Sequence, residues 1–138
     1  MNINELCIGD WISYINRKYK VIQIDKEGII YGQGSDFSAP GIAKQIKSID
    51  PIKITSEVLK HSFNDICIEV GGYWMTEIDN YFVEFYPSTG TFIKYTYIVD
   101  EYNKYTQHII LLLNCYYMHE LQHALRLAGI EKDIIFYE

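Results

Sequence analysis

The chain has 138 residues and a formal net charge of −6, with 49% hydrophobic and 22% charged residues. At roughly 100 to 200 residues per domain, this length excludes a large multidomain enzyme, and the ordinary composition argues against intrinsic disorder. The longest aliphatic run, residues 109–113, is far shorter than the ~20 residues of a membrane helix, and Glu5 interrupts any secretory signal. We therefore expect a cytoplasmic protein.

The charge is unevenly distributed along the chain. Residues 1–70 hold nine acids and eight bases, whereas residues 71–138 hold nine acids and four bases. The second part would repel phosphate and attract a basic surface, while the first part could still carry a local basic patch.

The first fifty residues have the pattern of short strands separated by turns. Alternation predicts strands over residues 11–15, 19–24 and 29–31, joined by tight connections. A glycine-rich loop that starts at Gly32 precedes a closing strand at residues 46–49. We therefore predict a small SH3-like β-barrel as a first domain, residues 1–52.

The second part of the chain begins at Asp50-Pro51, because the residue before a proline is pushed out of the helical region. Thr55 as N-cap predicts a helix over residues 55–63. Alternation then predicts strands over residues 73–78, 81–86 and 92–98. The apolar run at residues 108–113 predicts a fourth strand that is buried or nearly so.

The last predicted element is a helix over residues 117–128. Met118, Leu121 and Leu125 form its apolar stripe, and Gly129 stands at the expected C-terminal cap. We predict that residues 53–138 form a second domain, an antiparallel four-stranded sheet carrying the two helices. The whole chain then belongs to the α+β class.

Residues 119–123 match the zinc-hydrolase motif H-E-x-x-H, in which two histidines one helical turn apart bind zinc and the glutamate is the general base. A third ligand is missing downstream, since Arg126 and Gly129 stand where the longer metzincin pattern has Gly and His. Only His61 or His108 could complete a site. We interpret His119 and His123 as part of the solvated polar flank of the helix, and we expect no catalytic residue, no metal and no other cofactor. The alternative is a zinc-dependent hydrolase through His119, Glu120 and His123.

The three cysteines, Cys7, Cys67 and Cys115, are widely spaced. This pattern fits small buried thiols in a reducing compartment better than a disulfide framework or a thiolate metal cage. Cys115 lies four residues before His119, but no orienting partner is evident, so we expect a buried thiol rather than a nucleophile.

Basic residues lie among aromatic rings in the predicted first hairpin. The candidate RNA-binding residues are Trp11, Arg17, Lys18, Tyr19 and Lys20. Bases beside rings can bind single-stranded RNA through charge and stacking. An RNA-binding module is therefore a second functional hypothesis. The alternative interpretation is that these lysines are ordinary solvated residues at turns.

From residue 65 to residue 101 the chain holds seven acids and one lysine, interleaved with many aromatic residues. Not all of these rings fit in the core of so small a domain. Exposed tyrosines among carboxylates are typical of a protein-binding face directed at a basic partner, although the rings could equally cover the outside of a sheet. The candidate partner-binding residues are Tyr73, Trp74, Glu77, Asp79, Tyr81, Glu84, Tyr86, Tyr95 and Tyr97.

Three segments carry a resemblance that covers nearly the whole chain. They are N-E-L-C-I-G-D-W from Asn4, P-I-K-I-T-S-E-V-L from Pro51, and H-E-L-Q-H-A-L-R-L-A-G-I-E-K from His119. The chain resembles a family of small proteins from phages and mobile elements of the Bacteroidota. That family has E-L-R-I-G-N-W-V, P-I-x-L-T-x-E-x-L and H-Q-L-Q-N-A-L-R-L at these places. The family has Gln and Asn at the positions of Glu120 and His123. The resemblance therefore implies that the zinc motif is incidental.

The resemblance implies a non-enzymatic, phage-encoded inhibitor of host defence. A Bacteroidota host is consistent with an anti-CRISPR protein that acts on the RNA-guided ribonuclease of type VI systems. The expected partner is then this nuclease, alone or with its guide RNA, in the cytoplasm of the bacterial host. Direct contact with nucleic acid would be secondary, and no membrane is involved.

Overall fold

A computed structural model describes residues 5–15, 17–34, 43–46, 49–63, 66–132 and 134. These residues form two antiparallel sheets and two helices, so the predicted α+β class is confirmed. No helix in these ranges is long and apolar enough to cross a membrane.

The first sheet has four strands in chain order. They are β1 (Trp11–Tyr14), β2 (Arg17–Ile24), β3 (Ile30–Gly34) and β4 (Ala43–Ile46). Because side chains alternate along β2, Tyr19 and Val21 are buried in a small core while Lys18 and Lys20 are only half-buried on the other face.

The first sheet differs from the predicted one at its closing side. β3 continues through Gly34, where we predicted a loop, and β4 ends where the predicted closing strand begins. Lys47 and Ser48 of that strand lie outside the described residues, as does most of the loop. The described strands do not close into a barrel, although an isolated bridge joins Ser13 of β1 to Asp50.

The second sheet has five strands in chain order, each antiparallel to its neighbour. They are β5 (Ile68–Val70), β6 (Tyr73–Ile78), β7 (Tyr81–Tyr86), β8 (Thr91–Val99) and β9 (Tyr105–Asn114). The prediction of four strands missed β5, because three exposed residues are too few to show alternation.

Both predicted helices are confirmed, as α1 (Ser56–Ser62) and α2 (Met118–Leu127). The Thr55 hydroxyl accepts a hydrogen bond from the Val58 backbone N–H at 3.2 Å, as expected for an N-cap. At the end of α2, Gly129 has φ +86°, the left-handed conformation that closes a helix without strain in glycine.

The main core lies between the second sheet and the two helices. Sheet residues Trp74, Val83, Phe85 and Phe92 pack with helix residues Leu59, Phe63, Met118, Leu121 and Leu125. We call this side of the sheet the inner face and the opposite side the outer face. Trp11 and Ile52 are also buried in this core, so the first sheet packs against it. The domain boundary after residue 52 stays a prediction.

Residues 108–113 lie in a strand as predicted, but the prediction that this strand is buried or nearly so is wrong. Ile109, Ile110 and Leu112 of β9 are 48%, 48% and 59% exposed. Only Leu111 and Leu113 reach the inner core, and both are partly buried. The reason is position in the sheet, since β9 is an edge strand.

Candidate functional site

A buried carboxylate, Asp10, lies in the turn that leads into β1 and has no exposed surface. Its Oδ2 accepts a hydrogen bond from the Cys7 backbone N–H at 2.8 Å. Gly9, at φ +96°, donates its N–H to the Val21 carbonyl at 2.7 Å, and the Val21 N–H returns to the Asp10 carbonyl at 2.8 Å. The turn therefore holds the carboxylate in one orientation, and Gly9 allows it without strain.

Two side chains of α2 contact this carboxylate. His123 Nε2 lies 2.7 Å from Asp10 Oδ2, and an Arg126 guanidinium N–H donates to Asp10 Oδ1 at 3.1 Å. A buried carboxylate is costly unless it is paired and hydrogen-bonded, and here it has three hydrogen-bond partners, of which the Arg126 guanidinium is cationic. The contact joins residues 113 and 116 positions apart in the sequence, so it fixes the first sheet to the last helix.

The side chain of Gln122 also joins α2 to the first sheet, by hydrogen bonds to backbone groups there. Its Oε1 accepts the Trp11 N–H at 2.9 Å, and its Nε2 donates to the Gly9 carbonyl at 2.9 Å. We call Asp10, Gln122, His123 and Arg126 the Asp10 cluster. Our interpretation of this helix flank as solvated is wrong, because the N-terminal turn covers it and buries His119 and Gln122.

His119 is 3% exposed, and its Nδ1 has no hydrogen-bond partner among the described residues. Burial lowers the pKa of His119, and the nearby His123 acts in the same direction, against the carboxylates of Glu120, Asp10 and Glu5. The result is a neutral buried ring rather than a charged one.

The H-E-x-x-H segment does not have the arrangement of a zinc hydrolase. The Glu120 carboxylate accepts the backbone N–H groups of Tyr116 and Tyr117 at 3.0 and 3.1 Å, so it caps α2. A general base must instead face a metal-bound water. Within the described ranges, neither His61 nor His108 joins the two helix histidines in a group that could hold a metal.

One group in the described part of the chain does bring metal-ligating atoms together. Cys7, Asp10 and His123 offer ligand atoms within 4.8 Å of one another. Sulfur, carboxylate and imidazole are a donor set that zinc accepts. However, the Arg126 guanidinium on the same carboxylate opposes a further cation, and His123 already lies at hydrogen-bond distance from it. The Asp10 cluster is therefore explained as a charge-compensated structural contact.

The other two cysteines are inert thiols. Burial raises the pKa of both Cys67 and Cys115 to about 12, with a smaller contribution from the Glu120 carboxylate at Cys115. Because the thiolate is the nucleophile, a protonated and buried Cys115 cannot serve as one. Cys7 is exposed, in contrast.

The outer face of the second sheet carries a row of packed aromatic rings. Tyr73 and Tyr86 stack with their centroids 4.9 Å apart, and Phe82 stacks on Tyr95 at 5.5 Å. Tyr97 lies edge-on to both Phe82 and Tyr95, at 5.9 and 5.6 Å. The register of β6, β7 and β8 places these side chains on one face, because each pair of cross-strand neighbours points the same way.

Two carboxylates accompany these rings. Glu77 lies opposite Phe82 across β6 and β7, and Glu84 lies between Phe82 and Tyr86 along β7. Burial and the Glu84 carboxylate raise the pKa of Tyr86 and of Tyr95, so both phenols keep their protons. We call Tyr73, Glu77, Phe82, Glu84, Tyr86, Tyr95 and Tyr97 the aromatic face.

Several predicted partner-binding residues lie off this face or are buried in it. Trp74 is buried in the main core, so it cannot contact a partner. Tyr81 points to the inner face, where the Lys94 ammonium lies 4.7 Å from its ring centroid. Asp79 is exposed in the hairpin turn between β6 and β7, and Tyr95 is buried beneath its neighbouring rings. Phe82 was missed, although its alternation with Val83 placed it on the outer side.

The proposed RNA-binding residues are also separated. Trp11 and Tyr19 are buried in different cores, so neither ring can stack on a base in this conformation. Arg17 is exposed and Lys18 and Lys20 are half-buried. The basic residues are therefore accessible, but the two rings that the hypothesis needs for base stacking are buried.

We compared the chain with protein-family models, with curated proteins and with solved structures, and none of the three comparisons finds a match.

Proposed function

We propose that this chain is a non-enzymatic protein-binding module that docks its aromatic face on a basic surface of a partner protein. The observation that carries the proposal is that both helices pack on the inner face, while on the aromatic face Glu77 and Tyr97 are exposed and Glu84 is half-buried. Rigid rings supply contact area at low entropic cost, and carboxylates steer the face toward lysine and arginine.

The partner we propose is a host defence nuclease, in line with the resemblance to phage proteins. A groove that holds RNA is rich in lysine and arginine, so an acidic face complements it. The type VI RNA-guided ribonuclease with its guide RNA is the specific candidate, and the chain would act on it as a phage-encoded inhibitor in the bacterial cytoplasm. The acidic excess of residues 71–138 supports this choice, because it disfavours phosphate itself.

We also propose that the first sheet belongs to an SH3-like unit. The bridge between Ser13 and Asp50 returns the chain to β1 after β4, as a closing segment of such a barrel would.

The test is a pull-down of the purified nuclease–guide complex with two double variants of equal charge. Glu77→Lys with Glu84→Lys reverses the aromatic face, whereas Glu27→Lys with Glu131→Lys reverses two exposed acids elsewhere. We expect the first variant to lose the complex and the second to retain it. Capture by both variants, with thermal melts like that of the wild type, would reject the aromatic face as the docking surface.

A further inference from the structure

Strands β8 and β9 extend beyond the rest of the second sheet. β7 pairs with β8 only as far as Phe82 with Tyr95, whereas β9 pairs with β8 out to Val99 with Tyr105. We call residues 96–108 the β8–β9 arm. A two-stranded hairpin is marginally stable in water on its own, so an arm of this kind gains from a covering partner.

The arm and β9 expose apolar side chains on both of their faces. Tyr97 on β8 and Tyr105 on β9 both point to the outer face, and Ile98 points to the inner face. The exposed apolar residues of this region are Tyr97, Ile98, Val99, Tyr102, Tyr105, Ile109, Ile110 and Leu112. A continuous apolar surface of this length is unusual for a monomer and marks an interaction site.

The free edge of β9 lacks the features that protect edge strands. β9 has ten residues, and no strand in the described ranges pairs with its outer side. It contains no Asp, Glu, Lys, Arg or Pro. The opposite edge, β5, has only three residues and carries Glu69 at its centre. Short length and charge block edge pairing, so β5 is protected and β9 is not.

We propose that β9 pairs antiparallel with β9 of a second copy of this chain, which joins the two five-stranded sheets into one continuous sheet. An antiparallel strand pair related by a two-fold axis is self-complementary, because each contact occurs twice with the partners exchanged. A strand without charges brings no like charges together when it pairs with itself. A basic partner, in contrast, finds no carboxylate on β9 to contact.

The net charge of −6 does not oppose this arrangement at the contact. The charged residues of the arm are Asp100, Glu101 and Lys104, and all three lie at its tip. With the two-fold axis near Ile109, each tip lies about 25 Å from the axis at ~3.3 Å per residue. The tips therefore point away from each other, separated by several Debye lengths of ~8 Å at physiological salt.

The exposed apolar side chains of β9 itself lie at this contact. Tyr105, Ile109, Ile110 and Leu112 are 71%, 48%, 48% and 59% exposed. The ten residues of β9 add the backbone hydrogen bonds of a new antiparallel strand pair. The contact therefore combines burial of apolar side chains with pairing of the free strand edge.

Sedimentation velocity of the full chain over a wide range of concentrations tests the proposal. We expect the wild type to form a species of twice the 16.2 kDa chain mass. Ile109→Lys places a charge in the paired edge and should weaken the dimer at least roughly tenfold. Ile68→Lys, at a residue 71% exposed on β5, is the matched control and should leave the dimer intact.

Hydrogen exchange supplies a second measurement that does not depend on a variant. The amides of residues 105–114 should gain protection as the concentration rises, while those of β5 should not. A wild type that stays at 16.2 kDa at every concentration, or a dimer that Ile109→Lys leaves unchanged, would overturn the proposal. Larger open-ended assemblies would also overturn it, because a two-fold contact closes.

The outcome is independent of the proposed function. Salt should strengthen the dimer or leave it unchanged, because its contact is apolar, and it should weaken docking of the aromatic face on a basic partner. Glu77→Lys with Glu84→Lys should leave the dimer intact, so failure of one proposal does not imply failure of the other.

Discussion

Asp10 shows how one side chain can connect two distant parts of the chain. It lies within the first eleven residues, yet its carboxylate is contacted by His123 and paired with the Arg126 guanidinium near the other end. No local pattern marks such a residue, because a lone aspartate before a strand is usually a solvated turn residue. The H-E-x-x-H motif lies on the flank of α2 that makes these contacts, but the contacts do not support the zinc chemistry that the motif suggests.

The first prediction concerns the stability that Asp10 provides. Asp10→Ala leaves His123 and Arg126 without their shared anion and the Cys7 N–H without its acceptor. Because breaking a buried, paired charge is strongly destabilising and Arg126 can still reach water, we expect a loss of about 3 kcal/mol in the free energy of unfolding. Urea denaturation measures it.

Asp25→Ala is the control for Asp10→Ala. Asp25 Oδ1 accepts two backbone N–H groups within its own turn, so its loss should cost only about 1 kcal/mol. Equal losses for the two variants would contradict the role of the Asp10 cluster as a long-range tie.

The second prediction concerns the pH dependence contributed by His119. The folded protein lowers the pKa of His119 below the ordinary value of 6.5. The unfolded chain therefore binds more protons as the pH falls through about 6.5, and the free energy of unfolding decreases. His119→Gln removes this titration, so its stability should fall less between neutral pH and about pH 5.5.

His61→Gln is the control for the pH experiment, because His61 is exposed on α1. Its urea midpoint should follow the wild-type pH dependence. A parallel loss of stability in the wild type and in His119→Gln would show that His119 is not the buried neutral ring described above.

At the level of elements, the sequence predicts the helices and the central strands well. Thr55 and Gly129 mark helix ends through local backbone chemistry, and the Asp79-Asn80 turn adopts the positive φ values, 49° and 67°, that suit a tight hairpin. Each of these signals depends on a few adjacent residues, so no tertiary information is needed.

The sequence fails where the environment of an element decides the outcome. The apolar run in β9 resembles a buried strand, but whether such a strand is covered depends on its neighbours in the sheet, and β9 is at the edge. Likewise, the pattern of α2 separates apolar from polar positions but does not reveal that the turn around Gly9 covers Gln122. Burial of a polar flank is a property of the packed pair.

The third prediction concerns the turn between β7 and β8. Gly90 has φ +72°, and a Cβ there would lie 2.8 Å from Tyr116 Cε1 and 2.9 Å from the Cys115 carbonyl oxygen. Gly90→Ala therefore combines backbone strain with a clash against the backbone, and we expect a loss of about 3 kcal/mol in the free energy of unfolding.

Gly72→Ala separates the two causes. Gly72 has φ +99°, but a Cβ there meets no atom within 4 Å. The strain alone should cost about 1 to 2 kcal/mol, measured by the same denaturation experiment. If the two variants lost equal stability, the close approach of Gly90 to the segment before α2 would make no contribution to the free energy of unfolding.

For the molecule as a whole, the two exposed surfaces of the second sheet have different chemistry. The aromatic face combines rings with Glu77 and Glu84, whereas the edge at β9 is apolar and uncharged. A dimer through β9 would place two aromatic faces on one side of a continuous sheet and would present two docking surfaces to a partner.

The most direct test of the proposed function is the affinity of the chain for the type VI nuclease–guide complex at two salt concentrations. We predict that the wild type and Glu27→Lys with Glu131→Lys bind alike and weaken as salt rises. Glu77→Lys with Glu84→Lys should bind at least roughly tenfold more weakly at low salt. Equal affinity of the two double variants at both salt concentrations would contradict docking through the aromatic face.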